Sequence, residues 1–114
     1  EREKEMTVGK LADIPGAKIA VLADGDREVE CAYCGDFLSN VMGKAPADCV
    51  WFTVMSNVNV CAVAALTDCA AVVLCEGAEP DAALAERAKE KGVNLLVTQL
   101  GMYEAAVAVS EYLK

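Results

Sequence analysis

The order of apolar segments from Cys49 to the C-terminus is the strongest constraint on the fold. Cys49 to Met55 reads as a strand rich in β-branched and aromatic residues. Ser56-Asn57-Val58-Asn59 breaks it and opens a helix running to about Asp68. Ala70 to Cys75 is continuously apolar, the pattern of a strand buried on both faces. After the loop Glu76 to Pro80, Asp81 to Lys91 reads as a helix ended by Gly92. Val93 to Thr98 is a further strand. In the last segment, Gly101 to Leu113, the residues Met102, Ala105, Ala106, Val109, Tyr112 and Leu113 form one apolar helical face. Strand and helix thus alternate three times, which predicts an α/β fold with a mostly parallel sheet. Right-handed crossovers follow by default.

The N-terminal half is less regular. Met6 to Ile14 reads as a short helix with Val8, Leu11 and Ala12 on one face, stopped by Pro15-Gly16. Lys18 to Leu22 reads as a strand and Asp24-Gly25-Asp26 as a turn. Glu28 to Tyr33 alternates as a strand, with Val29 and Cys31 on one side. Gly35-Asp36 opens a helix with Phe37, Leu38, Val41 and Met42 on its apolar side, Asp36 serving as N-cap. These two earlier strands are expected to join one edge, giving about five strands in all.

The chain of 114 residues suits one domain over residues 6–114, preceded by a charged, solvated tail, Glu1 to Glu5. At 55% hydrophobic residues it is too apolar to be disordered. Its 18 acidic against 10 basic residues argue against phosphate-driven nucleic-acid binding. No histidine is present, which removes the commonest general base and metal ligand. The apolar stretch from Val60 to Cys75 is interrupted by Thr67 and Asp68, so no membrane span is expected. Without an apolar leader segment, the expected location is the cytoplasm.

Asp26-Arg27-Glu28-Val29, then Tyr33 through Gly43, together with Trp51-Phe52-Thr53, Asn59 through Ala64, Glu79-Pro80-Asp81 and Leu96-Val97-Thr98, resemble the small stand-alone members of the DRTGG-domain family. The resemblance runs from Met6 over nearly the whole chain, and it lies in the order and spacing of short motifs. It implies a three-layer α/β/α domain, similar to the N-terminal domain of HPr kinase/phosphorylase, with no established catalytic activity. Such domains occur beside CBS domains, within phosphotransacetylases and near hydrogenase-type iron–sulfur enzymes. The sequence departs from the family where its two name-giving motifs belong. Ser56-Asn57-Val58 stands in place of Gly-Asp-Arg, and Cys75-Glu76-Gly77 in place of Thr-Gly-Gly.

Ligands of open parallel sheets favour the crevice beyond the carboxyl ends of the strands. That edge is expected to hold Asp24, Ser56, Asn57, Asn59, Glu76, Gly77, Thr98 and Gln99. The helix opened by Asn57 to Asn59 offers N–H groups to an anion, but the commoner use of such residues is to cap the helix themselves. Asp36, with Ser39 and Asn40, is either a cap and polar helix side or part of the binding patch. The helix from Val58 to Cys69 is apolar nearly all round. It is therefore either wedged between layers or part of a subunit interface.

Cys31 and Cys34 form a CxxC pair, the spacing of a redox motif or half a zinc site. In an extended strand the two would point to opposite faces. Cys61, Cys69 and Cys75 sit among apolar residues and read as small core hydrophobes. No Ser or Cys has a histidine partner and no Walker-type loop is present. The expectation is a non-catalytic regulatory or binding domain, without cofactor or metal. Its expected partners are a second copy, a small-molecule or anionic ligand and a protein, with a hydrogenase-type enzyme as one candidate. The competing expectation is a redox, iron–sulfur or zinc accessory protein using Cys31 and Cys34.

Overall fold

The computed structural model describes residues 6–113, and the expected charged tail lies outside them. A 3-10 helix, Gly9–Asp13, leads into β1 (Lys18–Val21), β2 (Cys31–Cys34) and α1 (Leu38–Lys44). Then come β3 (Cys49–Thr53), α2 (Asn59–Thr67), β4 (Ala71–Leu74), α3 (Ala82–Lys91), β5 (Leu95–Val97) and α4 (Met102–Ser110). The sheet order is β1-β5-β4-β3-β2. The pairs β2–β3, β3–β4 and β4–β5 are parallel, and β1 pairs antiparallel with β5. The expected mostly parallel α/β sheet is therefore present. The two early strands do not share an edge, however: β1 covers one side and β2 the other.

Two apolar clusters, one on each face of the sheet, make the third layer. Val50 and Phe52 of β3, Ala71 and Val73 of β4 and Leu96 of β5 face Leu11, Ala105 and Val109. Cys49, Trp51, Val72, Leu74 and Leu95 face the other way, onto Val41, Val60, Val63, Leu84 and Ala88. Successive residues of a strand point to opposite faces. A strand covered by helices on both sides is therefore buried at every position, as β3 and β4 are, and the one polar residue among them, Thr53, is hydrogen-bonded to Asp36. Buried Trp51 donates its indole N–H to the Gly35 carbonyl at 2.8 Å, so its one polar atom is satisfied.

Near the N-terminus, a 3-10 turn replaces the expected helix. The Val8 and Gly9 amides are taken by the Arg27 and Gly25 carbonyls, at 2.9 Å each, and Thr7 bridges Glu28. These contacts pair Thr7 as an isolated bridge and leave one tight turn, Gly9–Asp13, in place of a longer helix. They also shorten the second strand, which begins only at Cys31. Helix α1 begins at Leu38, after Phe37, and Asp36 does not cap it.

Candidate functional site

The carboxyl ends of β2 to β5 bring together the loops 35–37, 54–58, 75–80 and 98–101. Most of the polar side chains expected there are engaged with the protein itself. Oδ1 of Asp36 accepts from the Thr53 hydroxyl at 2.6 Å and from the Val54 amide at 2.9 Å, tying the β2–α1 loop to the end of β3. Thr98 is buried, donates its hydroxyl to the Pro15 carbonyl at 2.9 Å and accepts from the Leu100 amide at 3.2 Å. Ser56 accepts the Asp81 amide through its carbonyl, fixing the entry to α3.

The expected anion site at the start of α2 is already filled from within. The side-chain oxygen of Asn57 accepts the Asn59 amide at 2.9 Å. The Val60 amide bonds the Asn57 carbonyl and the Cys61 amide the Val58 carbonyl, both at 3.1 Å. These three amides thus have partners within the protein, and Asn57 acts as a local turn former. Asn59 is the exposed first residue of the helix.

The outward part of this edge is acidic. Glu76 is exposed and holds a left-handed backbone conformation with φ 60°, followed by Gly77 at φ 75°. A Cβ on Gly77 would come within 3.0 Å of Oε1 of Gln99, whose side chain lies across the turn. Cys75 is fully buried at the end of β4. Burial, with the nearby Cys34, Glu76 and Asp36, pushes its thiol up to about 12. Burial and the charge of Asp36 also raise Cys34. Neither thiol is primed as a nucleophile at neutral pH.

Asp24 is a correction. Because β1 runs antiparallel to β5, its carboxyl end lies at the amino ends of the other strands. Asp24 is therefore at the opposite end from Ser56, Glu76 and Thr98, and its carboxylate accepts the Asp26 amide at 3.1 Å. The CxxC pair is divided as well. Cys31 packs with Tyr33 on the α1–α3 side, and exposed Cys34 alternates to the other face, toward Cys75. The two sulfurs cannot share a metal or close a bond across the strand. Among the described residues, no group of three or more His, Cys, Asp or Glu side chains is arranged to hold a metal ion.

Two residues organise the amino end: Asn94, which the sequence reading missed, and Arg27, which it named only within a family motif. Buried Asn94 donates to the Ala70 carbonyl at 2.9 Å and accepts from the Ala23 and Asp24 amides at 2.7 and 2.9 Å. Arg27 bonds the Asp48 carboxylate and the Asp68 carbonyl, both at 2.8 Å. Asp48 and Asp68 both hold left-handed backbone conformations. The one available signal was a polar residue, Asn94, within an otherwise apolar strand pattern.

On the α1–α3 side, α2 buries Val60, Cys61, Val63 and Ala64 and leaves Ala62, Ala65 and Leu66 exposed, with Leu66 75% accessible. A cleft of about 350 Å³ separates α2 from α3, lined by Val58, Cys61, Ala62, Ala65, Arg87 and Lys91.

The family model of the DRTGG domain matches residues 10–112. The chain belongs to the DRTGG-domain family. The match includes both loops where the name-giving motifs are replaced, so membership rests on the domain as a whole. No curated protein matches the chain. Among solved structures, this DRTGG domain is similar to the CBS and DRTGG domains of the regulatory region of Clostridium perfringens pyrophosphatase, complexed with the activator diadenosine tetraphosphate. The TM-score is 0.74 at 10% sequence identity, covering 93% of this chain and 46% of that one. The chain thus spans about half the length of the structure it matches, and the likeness is one of fold.

Proposed function

We propose that this DRTGG domain is a non-catalytic regulatory module that works as a cytoplasmic homodimer by binding a ligand or partner. The observation that carries the reading is the fold shared with the regulatory region of a pyrophosphatase, itself crystallised with an activator. The binding surface is the carboxyl edge, which offers Ser56, Asn57, Asn59, Glu76 and Gly77, while Asp36 and Thr98 hold its loops in place. Their chemistry selects a donor-bearing or basic group over a polyphosphate. Amides at the start of α2 are occupied, and Glu76 adds negative charge to a chain with net charge −8. Among the described residues, no helix is long and apolar enough to cross a membrane, in keeping with a cytoplasmic place. A hydrogenase-type iron–sulfur enzyme is the narrower candidate partner, suggested by the family resemblance alone.

The exposed stripe Ala62, Ala65 and Leu66 on α2, beside exposed Phe37 and Met42 at α1, supports the dimer. Native mass spectrometry of the wild type and Leu66→Glu tests the assembly. The reading expects twice the 12.0 kDa chain mass for the wild type and a monomer for the variant. Calorimetric titration with diadenosine tetraphosphate and with a Lys/Arg-rich peptide tests the surface. Peptide binding that weakens in Glu76→Gln supports it. Tetraphosphate binding untouched by Glu76→Gln and Ser56→Ala would move the site elsewhere, and a wild-type monomer would end the dimer reading.

A further inference from the structure

The amino ends of the central strands gather three thiols that no sequence motif unites. Cys31 opens β2 and Cys49 opens β3, and the parallel register sets them side by side. Cys69 precedes β4 by two residues. All three pack on the α1–α3 side of the sheet. The sulfurs of Cys49 and Cys69 are 3.6 Å apart, and the Thr67 hydroxyl lies 3.0 Å from the Cys69 sulfur. Beside them, Arg27 is held by Asp48 and Asp68. A disulfide has a sulfur–sulfur length of about 2.05 Å, so closure requires an approach of roughly 1.5 Å, shared between two side chains.

We propose that Cys69 and Cys49 form a peroxide-responsive thiol pair, in which Cys69 is oxidised first and Cys49 resolves it to an intramolecular disulfide. The two thiols are unequally placed, which sets the order: only Cys69 has the Thr67 hydroxyl beside it and any exposure to solvent. The hydrogen bond shared with Cys49 lowers the Cys69 thiol, helped by Thr67 and the positive charge of Arg27, against burial and Asp68. Cys49 is shifted upward by the same hydrogen bond and by burial, so it keeps its proton. Cys69 also retains 8% exposure where Cys49 has none, so a small hydroperoxide meets Cys69 first.

The chemistry balances with a hydroperoxide as oxidant. The Cys69 thiolate attacks the terminal oxygen and the O–O bond breaks. The alkoxide leaves and takes a proton from water to become an alcohol. Cys69 is then a sulfenic acid. The Cys49 sulfur attacks the Cys69 sulfur, the S–O bond breaks, and hydroxide departs with the Cys49 proton as water. In total, two thiols are oxidised by two electrons and one hydroperoxide is reduced to an alcohol and water. The new bond would staple the entry of β3 to the entry of β4 across the whole α2 crossover. It uses neither the carboxyl edge nor the CxxC spacing.

The test is oxidation of the native chain with one equivalent of tert-butyl hydroperoxide. Free thiols are then alkylated under denaturing conditions and the peptides mapped by mass spectrometry. The expected product is a Cys49–Cys69 cross-link, two hydrogens lighter and reversed by dithiothreitol, with Cys34 still alkylated. In Cys49→Ala the cross-link is lost and Cys69 is trapped by dimedone as the sulfenic acid. If that variant does not fold, the wild-type map decides alone. Oxidation of Cys34 or Cys31 ahead of Cys69, a bridge to Cys31, or a chain with six unreacted thiols overturns the proposal.

Discussion

Asn94 serves three backbone groups at once, the Ala70 carbonyl and the Ala23 and Asp24 amides. It links the loop after β1 to the segments entering β4 and β5, and no other described side chain bonds those atoms. Asn94→Ala leaves the buried Ala70 carbonyl unpaired, which costs about 1–3 kcal/mol. The expected result is a lower urea midpoint with an unchanged slope, and an unchanged midpoint would show that water replaces the side chain. Cys75 carries a second residue-scale prediction. Its thiol, ordinarily near 9.0, is pushed up to about 12 in the fold. Between those values the folded chain keeps a proton that the unfolded chain releases, so stability falls as pH rises from 9 toward 12. The limit is about 1.4 kcal/mol per pH unit for one such group. Urea midpoints measured from pH 8 to 10.5 should fall less steeply in Cys75→Ala than in the wild type, and equal slopes would remove Cys75 as a cause.

Helix α1 is short, with seven residues, no side-chain cap and a glycine next to its last residue. A Cβ at Gly43 would meet nothing within 4 Å, and its φ lies outside the left-handed region. Gly43→Ala should therefore stabilise the domain by about 0.5–1 kcal/mol, through reduced freedom of the unfolded chain. A higher melting temperature checks it, and no change would mean that α1 frays before global unfolding. Helices α2 and α3 end differently from α1. Both close on left-handed residues, Asp68 and Gly92, that accommodate the turn back toward the sheet. Gly92 does so without the backbone cost that Asp68 carries, and Arg27 bonds Asp68 in place.

Across the whole molecule, order is concentrated at the centre of the sheet. β3, β4 and β5 have a strand on each side, and every residue of β3 and β4 is buried. β1 and β2 are edges, and β1 exposes Lys18, Ile19 and Ala20. Hydrogen exchange should therefore be slowest for β3 and β4 amides, and faster for β1, β2 and α1. Uniform protection across the sheet would indicate that the edges are covered in solution, as a partner subunit would cover them. The crossovers from β2 to β5 proceed in one direction, and α1, α2 and α3 contribute to a single apolar layer. The parallel strands consequently lack the reversal of order at which doubly wound folds open a crevice. Polar groups at the carboxyl edge then serve to tie loops together, as Asp36 and Thr98 do.

The β–α alternation after Cys49, the burial of β4 on both faces and the opposed directions of Cys31 and Cys34 were legible in the residues alone. Each depends on a local period, two for a strand and 3.6 for a helix, and periodicity is written along the chain. Family membership was legible too, through the order of short motifs between Met6 and Thr98. Tertiary structure decided the rest. The antiparallel pairing of β1 with β5 sends Asp24 to the far end of the sheet. The demand of Thr53 and Val54 for an acceptor takes Asp36 away from its helix. Parallel register brings Cys49 against Cys69, twenty residues away along the chain. Strand order, direction and side-chain partners arise from contacts between distant segments, and no local pattern encodes them.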